Sequence, residues 1–193
     1  MQDNEGLREK KRRQTRQRIV DAGLELFLQK GIEATTLDEI AAKAEISRRN
    51  FFAYFPAKED IVLAWEEGAG EALRQAVVAA APGRGPLEAV QAALVGLAPV
   101  FATHDFMVLD GLMRSTPTLK AKKERHFDDQ MQWLYRLLLE LYPDPGRARG
   151  LQVVAMVSIG CLKMSVENWL SEKGRRSIVE CLDEAFAALK AEI

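Results

Sequence analysis

Arg48, Arg49 and Asn50 follow directly on Ser47, a residue type that caps helices. Arginine pairs bidentately with guanine O6 and N7, and asparagine with adenine N6 and N7. Two arginines and an asparagine on the first turn of a short helix therefore carry the chemistry of major-groove reading. The same residues would also suit a plain solvated face, since charge runs usually serve solubility. What separates the two readings is the frame around them. The helix begun at Ser47 carries Phe51, Tyr54 and Phe55 on its inner side and Arg48, Arg49, Phe52 and Ala53 on its outer side, with Asn50 at the edge. Ahead of it, Leu37, Ile40, Ala41 and Ala44 fall at i, i+3, i+4 and i+7, the spacing of one buried stripe. Thr36 is placed as the N-cap of that stripe, and Glu39 three residues on is placed to close a capping box. Two short capped helices with a tight turn between them, apolar beneath and basic and aromatic above, describe a helix-turn-helix. A phosphate oxygen suits the free amides at such a helix start, and it also suits Lys58, which the pattern puts in the first turn of the next helix.

A helix-turn-helix needs a third packing partner to bury Leu37, Ile40, Phe51 and Phe55. A first helix from near Arg12 to Lys30 supplies it, with Ile19, Ala22, Leu26 and Phe27 inward and Gly31 as the residue that ends it. Residues 1 to about 11 are polar and expected to be mobile. The net charge of −1 hides an uneven layout. Arg8, Lys10, Lys11, Arg12, Arg13, Arg16 and Arg18 stand against Glu9 alone in residues 8–18, whereas residues 61–193 hold fifteen basic and seventeen acidic residues. A basic arm of this kind fits phosphate attraction and also fits a solubilising tail; leading straight into the supporting helix, it favours contact with a nucleic-acid backbone.

The stretch from about Thr15 to Trp65 resembles the TetR family of bacterial transcriptional regulators. The matching residues are Ile19, Ala22, Leu26, Phe27 and Gly31; then Thr36, Ile40, Ala41, Ala44, Ile46 and Ser47; then Tyr54, Phe55, Pro56, Lys58, Glu59 and Asp60. Two positions depart from the family pattern. Glu45 stands where the turn most often has Gly, and Ala57 where a small polar cap precedes Lys58. The resemblance implies a homodimer whose N-terminal domains read a near-palindromic double-stranded DNA operator, a repressor released when a small-molecule effector binds. The candidate DNA-contacting set is Arg16, Thr36, Ser47, Arg48, Arg49, Asn50, Phe52, Tyr54 and Lys58.

The rest of the chain is also helical in pattern, which makes the fold all-α with about nine helices and no convincing strand. A DNA-binding domain over residues 1–60 precedes a ligand-binding and dimerisation domain over 61–193. From Lys58 a long helix runs to the Pro82–Pro86 break. Helices follow over 87–102, 104–114, 117–141, 146–170 and 177–193, divided by Thr103, Ser115 to Pro117, Pro143 with Pro145, and Gly174. The last two are apolar on more than one side, and such helices must be covered on more than one side. Val153, Val157, Gly160 and Cys161, with Leu182, Ala185, Phe186 and Leu189, are the candidate faces of a two-fold four-helix interface. The alternative is a deeply buried helix pair within one chain.

Trp65, Phe101, Phe106, Met107, Met113, Trp133, Met164 and Trp169 are adaptable apolar residues in the middle of the chain. They suit an effector cavity between helices; such a stripe alone is more often plain core, but the roughly two-thirds of the chain beyond the DNA reader shifts the balance toward a cavity. Arg114 with Thr116, Pro117 and Leu119, and later Val166, Glu167 and Trp169, looks like a branch of the family with an acyl-CoA-like ligand-binding domain. That resemblance makes the effector apolar or acyl-CoA-like and adds Arg114 to the candidate pocket. No cofactor and no metal is expected. Cys161 and Cys181 lack metal-ligand spacing and read as buried thiols of a reducing, cytoplasmic setting. No catalytic residue is expected either, because nucleophile elbow, phosphate-binding glycine loop and paired-histidine zinc signature are all missing. A polar N-terminus argues against a signal peptide, and no apolar run of about 18 residues stands out as a membrane span.

Overall fold

The structure, a computed structural model, describes residues 2–114 and 117–192, with the side chains of residues 1–5, 66–69, 101 and 115–118 outside the description. Among the described residues it is built of nine α-helices and one short 3-10 helix, without strands. These are α1 (Gln2–Ala34), α2 (Leu37–Lys43), α3 (Arg48–Phe51), α4 (Asp60–Ala80) and α5 (Pro86–Phe101), followed by α6 (His104–Arg114) and α7 (Pro117–Leu141). The 3-10 turn Pro145–Arg147 then leads into α8 (Ala148–Ser171) and α9 (Ile178–Glu192). The chain divides into two compact units, residues 1–67 with 108–120 and residues 68–107 with 121–193. The division into compact units falls within α4, and the first unit also takes in residues 108–120.

In the first unit α1 is helical from Gln2, where a mobile arm is expected, and kinks at Gly31, whose φ of 82° is open to a residue without a Cβ. Thr35 is fully buried just beyond, its hydroxyl donating to the Gly31 carbonyl at 2.7 Å. Ile19, Val20, Phe27, Ile40, Phe51, Phe55 and Ile61 form one core with Leu109 and Met113. Gly23 lets that core close up. A Cβ there would lie 2.5 Å from the Ile61 side chain, so any larger residue would force buried Ile61 to move.

In the second unit α5, α8 and α9 pack together around Leu151, Ile159, Leu182 and Phe186. Fully burying a side chain such as Phe186 contributes about 1.5–3 kcal/mol. Polar pins join α8 to α9. The Ser165 hydroxyl donates to the Cys161 carbonyl at 2.7 Å and reaches the Cys181 carbonyl at 3.1 Å, and the Cys161 thiol lies 3.8 Å from the Ala185 carbonyl. Burial raises the pKa of both thiols.

This packing corrects the expected interface set. Cys161, Leu182, Ala185 and Phe186 are buried inside the unit, while Val157 and Leu189 are half-buried. The apolar residues that α8 leaves in the open are Val153 (56% exposed), Met156 (52%) and Met164 (45%), with Gly160 beside them. The expected pocket residues separate as well. Trp65 and Met113 belong to the core of the first unit, whereas Phe106, Met107, Trp133 and Trp169 belong to that of the second. Met164 is an exposed residue of α8, and the Phe101 side chain lies outside the described residues. Arg114 is spent on the buried Asp110, Nε to Oδ2 at 2.5 Å. One expectation about membranes is also revised. Pro145–Ser171 is long and apolar enough to cross a bilayer, although in this fold Leu151, Ala155, Ile159 and Trp169 place its apolar stripe in a helical core.

Candidate nucleic-acid interface

Thr36 and Glu39 set the start of α2. The Thr36 hydroxyl accepts from the Glu39 amide at 3.3 Å, and the Glu39 carboxylate accepts from the Thr36 amide at 2.9 Å, which closes the capping box. Lys30 Nζ lies 2.5 Å from the same carboxylate. That bond first, with those from Thr36, holds the Glu39 pKa down to about 2. Ile40, Ala41 and Ala44 are buried beneath. The chain then turns through Glu45, which takes the left-handed region at φ 55°. A side chain there costs about 1 kcal/mol relative to glycine, so the departure at Glu45 is a real strain.

Ser47 starts α3 by accepting from the Asn50 amide at 3.1 Å. The helix is shorter than its pattern suggests, a single turn continued by turn-type bonds from Ala53 to Asn50 and from Tyr54 to Phe51. Phe51 and Phe55 are almost wholly buried under it, and Tyr54 is half-buried. This anchoring leaves Arg48, Arg49 and Asn50 exposed, with Phe52 49% exposed and edge-on to Phe51 at 5.7 Å. Arg16 of α1 stacks over the Phe55 ring, its guanidinium 5.2 Å from the centroid. Arg8, Lys10, Lys11, Arg12 and Arg13 line the exposed surface of the same helix.

An open groove of about 540 Å³ runs between the start of α2 and α3, lined by Thr36, Leu37, Asp38, Arg48, Phe52 and Lys58 among others. Four of the nine candidate DNA contacts therefore share one groove, while Arg16, Ser47, Arg49, Asn50 and Tyr54 lie outside its lining. Lys58 is arranged differently from the phosphate contact expected of it. It precedes α4, which begins at Asp60, and its amine lies 2.5 Å from the Ile32 carbonyl and 2.7 Å from that of Thr35. The amine thus serves the carbonyls at the end of α1. The cap missing at Ala57 is made good by Asp60, whose carboxylate accepts from the Ala57 amide at 3.0 Å. Asp38, absent from the candidate set, lies 3.4 Å from Arg48. Its place among acidic residues in the first turn of α2 was the one available signal.

A short capped turn packed across two supporting helices, with arginine and asparagine outward, defines the class as a three-helix helix-turn-helix module. The family model described as bacterial regulatory proteins, tetR family, matches residues 19–65. The transcriptional regulator TcmR of Streptomyces glaucescens is 31% identical over 141 residues, covering 69% of this chain and 62% of that relative. Other curated relatives match over 45 to 52 residues, 39% or less of their own length. Among solved structures, FadR of Thermus thermophilus, a TetR-family repressor in complex with lauroyl-CoA, superposes with a TM-score of 0.64 at 27% identity, covering 90% of this chain and 92% of that one. FadR of Bacillus subtilis in complex with stearoyl-CoA shares the fold at a TM-score of 0.62 and 17% identity, covering 92% and 98%. The match over residues 19–65 makes this N-terminal module one of the TetR family. That family is one of regulatory proteins, not of enzymes.

Proposed function

We propose that this protein is a sequence-specific DNA-binding transcriptional regulator of the cytoplasm, a homodimer that represses from a palindromic operator and is released by a small molecule. The observation that carries the reading is the exposure of Arg48, Arg49 and Asn50 on a capped turn whose underside, Phe51 and Phe55, is almost wholly buried. Rigid placement of that kind is what base-edge hydrogen bonding requires. Arg16 and the basic residues before it supply backbone contacts that hold register without reading sequence.

The homodimer reading is supported by the exposed apolar face of α8. Val153, Met156, Gly160 and Met164 recur at i, i+3, i+7 and i+11 on one side of a helix whose other side is already buried. A two-fold contact there matches two recognition turns set in major grooves about 34 Å apart. The effector reading assigns residues 61–193 to binding an apolar or acyl-CoA-like molecule and is supported by the FadR structures with their acyl-CoA ligands. Release follows if the effector binds better to the arrangement that cannot span two grooves, and the coupling then runs both ways. α4, which carries residues of both compact units, is the natural element for it to act on.

Selection of sites from a random duplex pool tests the proposal, run beside an Arg48→Ala, Arg49→Ala double variant at fixed salt. Recovery of an inverted repeat by the native protein, relaxed or lost in the variant, is the expected result. Equal enrichment of arbitrary sequence by both proteins would replace the regulator with a non-specific DNA binder.

A further inference from the structure

Phe52 is a large apolar side chain, 49% exposed, on a surface it shares with Arg48, Arg49 and Asn50. It follows α3 with φ −66° and ψ −15°, still right-handed helical backbone, so it stands four residues after Arg48 and three after Arg49 on one side of the turn. Arg48 and Phe52 accordingly line the same open groove. The ring is held from beneath. It meets Phe51 edge-on, with centroids 5.7 Å apart and planes at 89°, and Phe51 is fully buried. The core under the turn is closed by Phe51 and Phe55 without it.

In chemistry Phe52 differs from its three neighbours. A phosphate oxygen needs a hydrogen-bond donor or a positive charge, and a phenyl ring supplies neither. On the major-groove edges of the base pairs the N7, O6 and O4 acceptors and the N4 and N6 amines would lose water to such a ring and gain no partner. One group on those edges is apolar, the C5-methyl of thymine.

From these observations we infer that Phe52 is a specificity-determining residue that reads a methyl group: its exposed ring covers the C5-methyl of one thymine in the half-site. Arg48 and Phe52 are four residues apart, about 6 Å along a helix axis, and successive bases of a strand rise about 3.4 Å. The thymine therefore lies within about two base pairs of the base that Arg48 reads. A cytosine methylated at C5 displays the same methyl group, so binding responds to that modification at the same position. This inference rests on the reading of Arg48, Arg49 and Asn50 as base contacts and adds the base and the atom that Phe52 selects.

The test uses the full-length protein and the duplex recovered by site selection. Each thymine of one half-site is replaced in turn by uracil, which removes the methyl group and leaves the hydrogen-bonding edges unchanged, and affinity is measured by anisotropy at fixed salt. At one position, within about two base pairs of the one relaxed by Arg48→Ala, binding is expected to weaken about fourfold, the worth of one methyl-sized group taken from water. With a cytosine·guanine pair placed there, methylation of the cytosine at C5 should strengthen binding by about the same factor. Phe52→Ala should bind thymine and uracil duplexes alike, and Phe52→Leu, still apolar, should keep part of the difference. The response of the native protein to uracil needs no variant, so it decides the matter even if Phe52→Ala folds poorly. Uracil tolerated at every thymine, a half-site without thymine, or an equal loss in a folded Phe52→Ala would overturn the inference and leave the base-reading turn intact. A selection that enriches no sequence would instead remove that reading, and the inference with it.

Discussion

The Arg48 guanidinium lies 3.4 Å from the Asp38 carboxylate, so the first cation of α3 is shared with the start of α2. Both side chains are more than half exposed, and such pairs are worth about 0–1 kcal/mol. Asp38→Asn therefore frees Arg48 at little cost and removes a negative charge from the groove proposed to face DNA. Operator affinity is expected to rise about two- to fivefold at fixed salt in an anisotropy titration. A fall instead would show that Asp38 holds Arg48 in its reading pose. Arg48→Ala is expected to lose about 1–3 kcal/mol of discrimination at the base it reads.

Lys58 separates a structural from a DNA-contacting role. Its amine bonds the carbonyls of Ile32 and Thr35 from 26 and 23 residues away. Lys58→Met strands those partly buried acceptors and should cost about 1–3 kcal/mol in urea denaturation. The dependence of log affinity on log salt should stay unchanged. A slope smaller by about one would make Lys58 a phosphate contact instead.

Glu45 pays for its turn with a φ of 55°. Its ion pair with Arg18 is long, 3.7 Å, and largely exposed, so little is lost with the side chain. Glu45→Gly is expected to stabilise by up to about 1 kcal/mol, a rise in melting temperature of about 2–4 °C for a chain of this size. Calorimetry showing no rise, or a fall, would mean that the added freedom of the unfolded chain outweighs the strain.

Glu39 gives the N-terminal module a pH signature. Its carboxyl is held down to about 2 by the Lys30 bond and then by Thr36, against an ordinary value of 4.5. A depressed pKa means that the charged form favours the folded state. The stabilisation is complete above about pH 4.5 and lost as pH falls toward 2. Glu39→Gln should therefore melt below the native protein at neutral pH, with the gap closing between those two values. A gap constant across that range would remove the charge on Glu39 as its source.

The helix-turn-helix was legible because its signals are local. Leu37, Ile40, Ala41 and Ala44 repeat once per turn, and Thr36 and Glu39 sit three residues apart in a capping box. The Lys58 arrangement was illegible because no short-range rule links it to Ile32 or Thr35. The short α3 escaped because helix spacing cannot distinguish a full helix from one turn continued by turn-type bonds. In α8 the pattern itself is ambiguous. Apolar residues surround the helix, so Val153 and Cys161 look equivalent in sequence, and only the docking of α9 through Leu182, Ala185 and Phe186 decides that Cys161 is inside. The same ambiguity sent Met164 to a pocket when it belongs to an open face.

That open face yields the sharpest test of assembly. Val153, Met156 and Met164 are each about half exposed, and Gly160 offers close approach to a second helix. A Met156→Glu, Gly160→Arg variant places two charges where a partner copy would otherwise bury apolar surface. Because both positions are exposed in the single chain, its helical content and core packing should survive. Sedimentation should show the mass fall from twice the 21.6 kDa chain mass to the chain mass itself. Affinity for an inverted repeat should drop toward that for a single half-site, since the second module no longer binds at high effective concentration. Leu182→Glu, by contrast, should unfold the second unit, because it buries a charge inside the α8 and α9 packing. A Met156→Glu, Gly160→Arg protein that remained dimeric would move the interface off this face of α8.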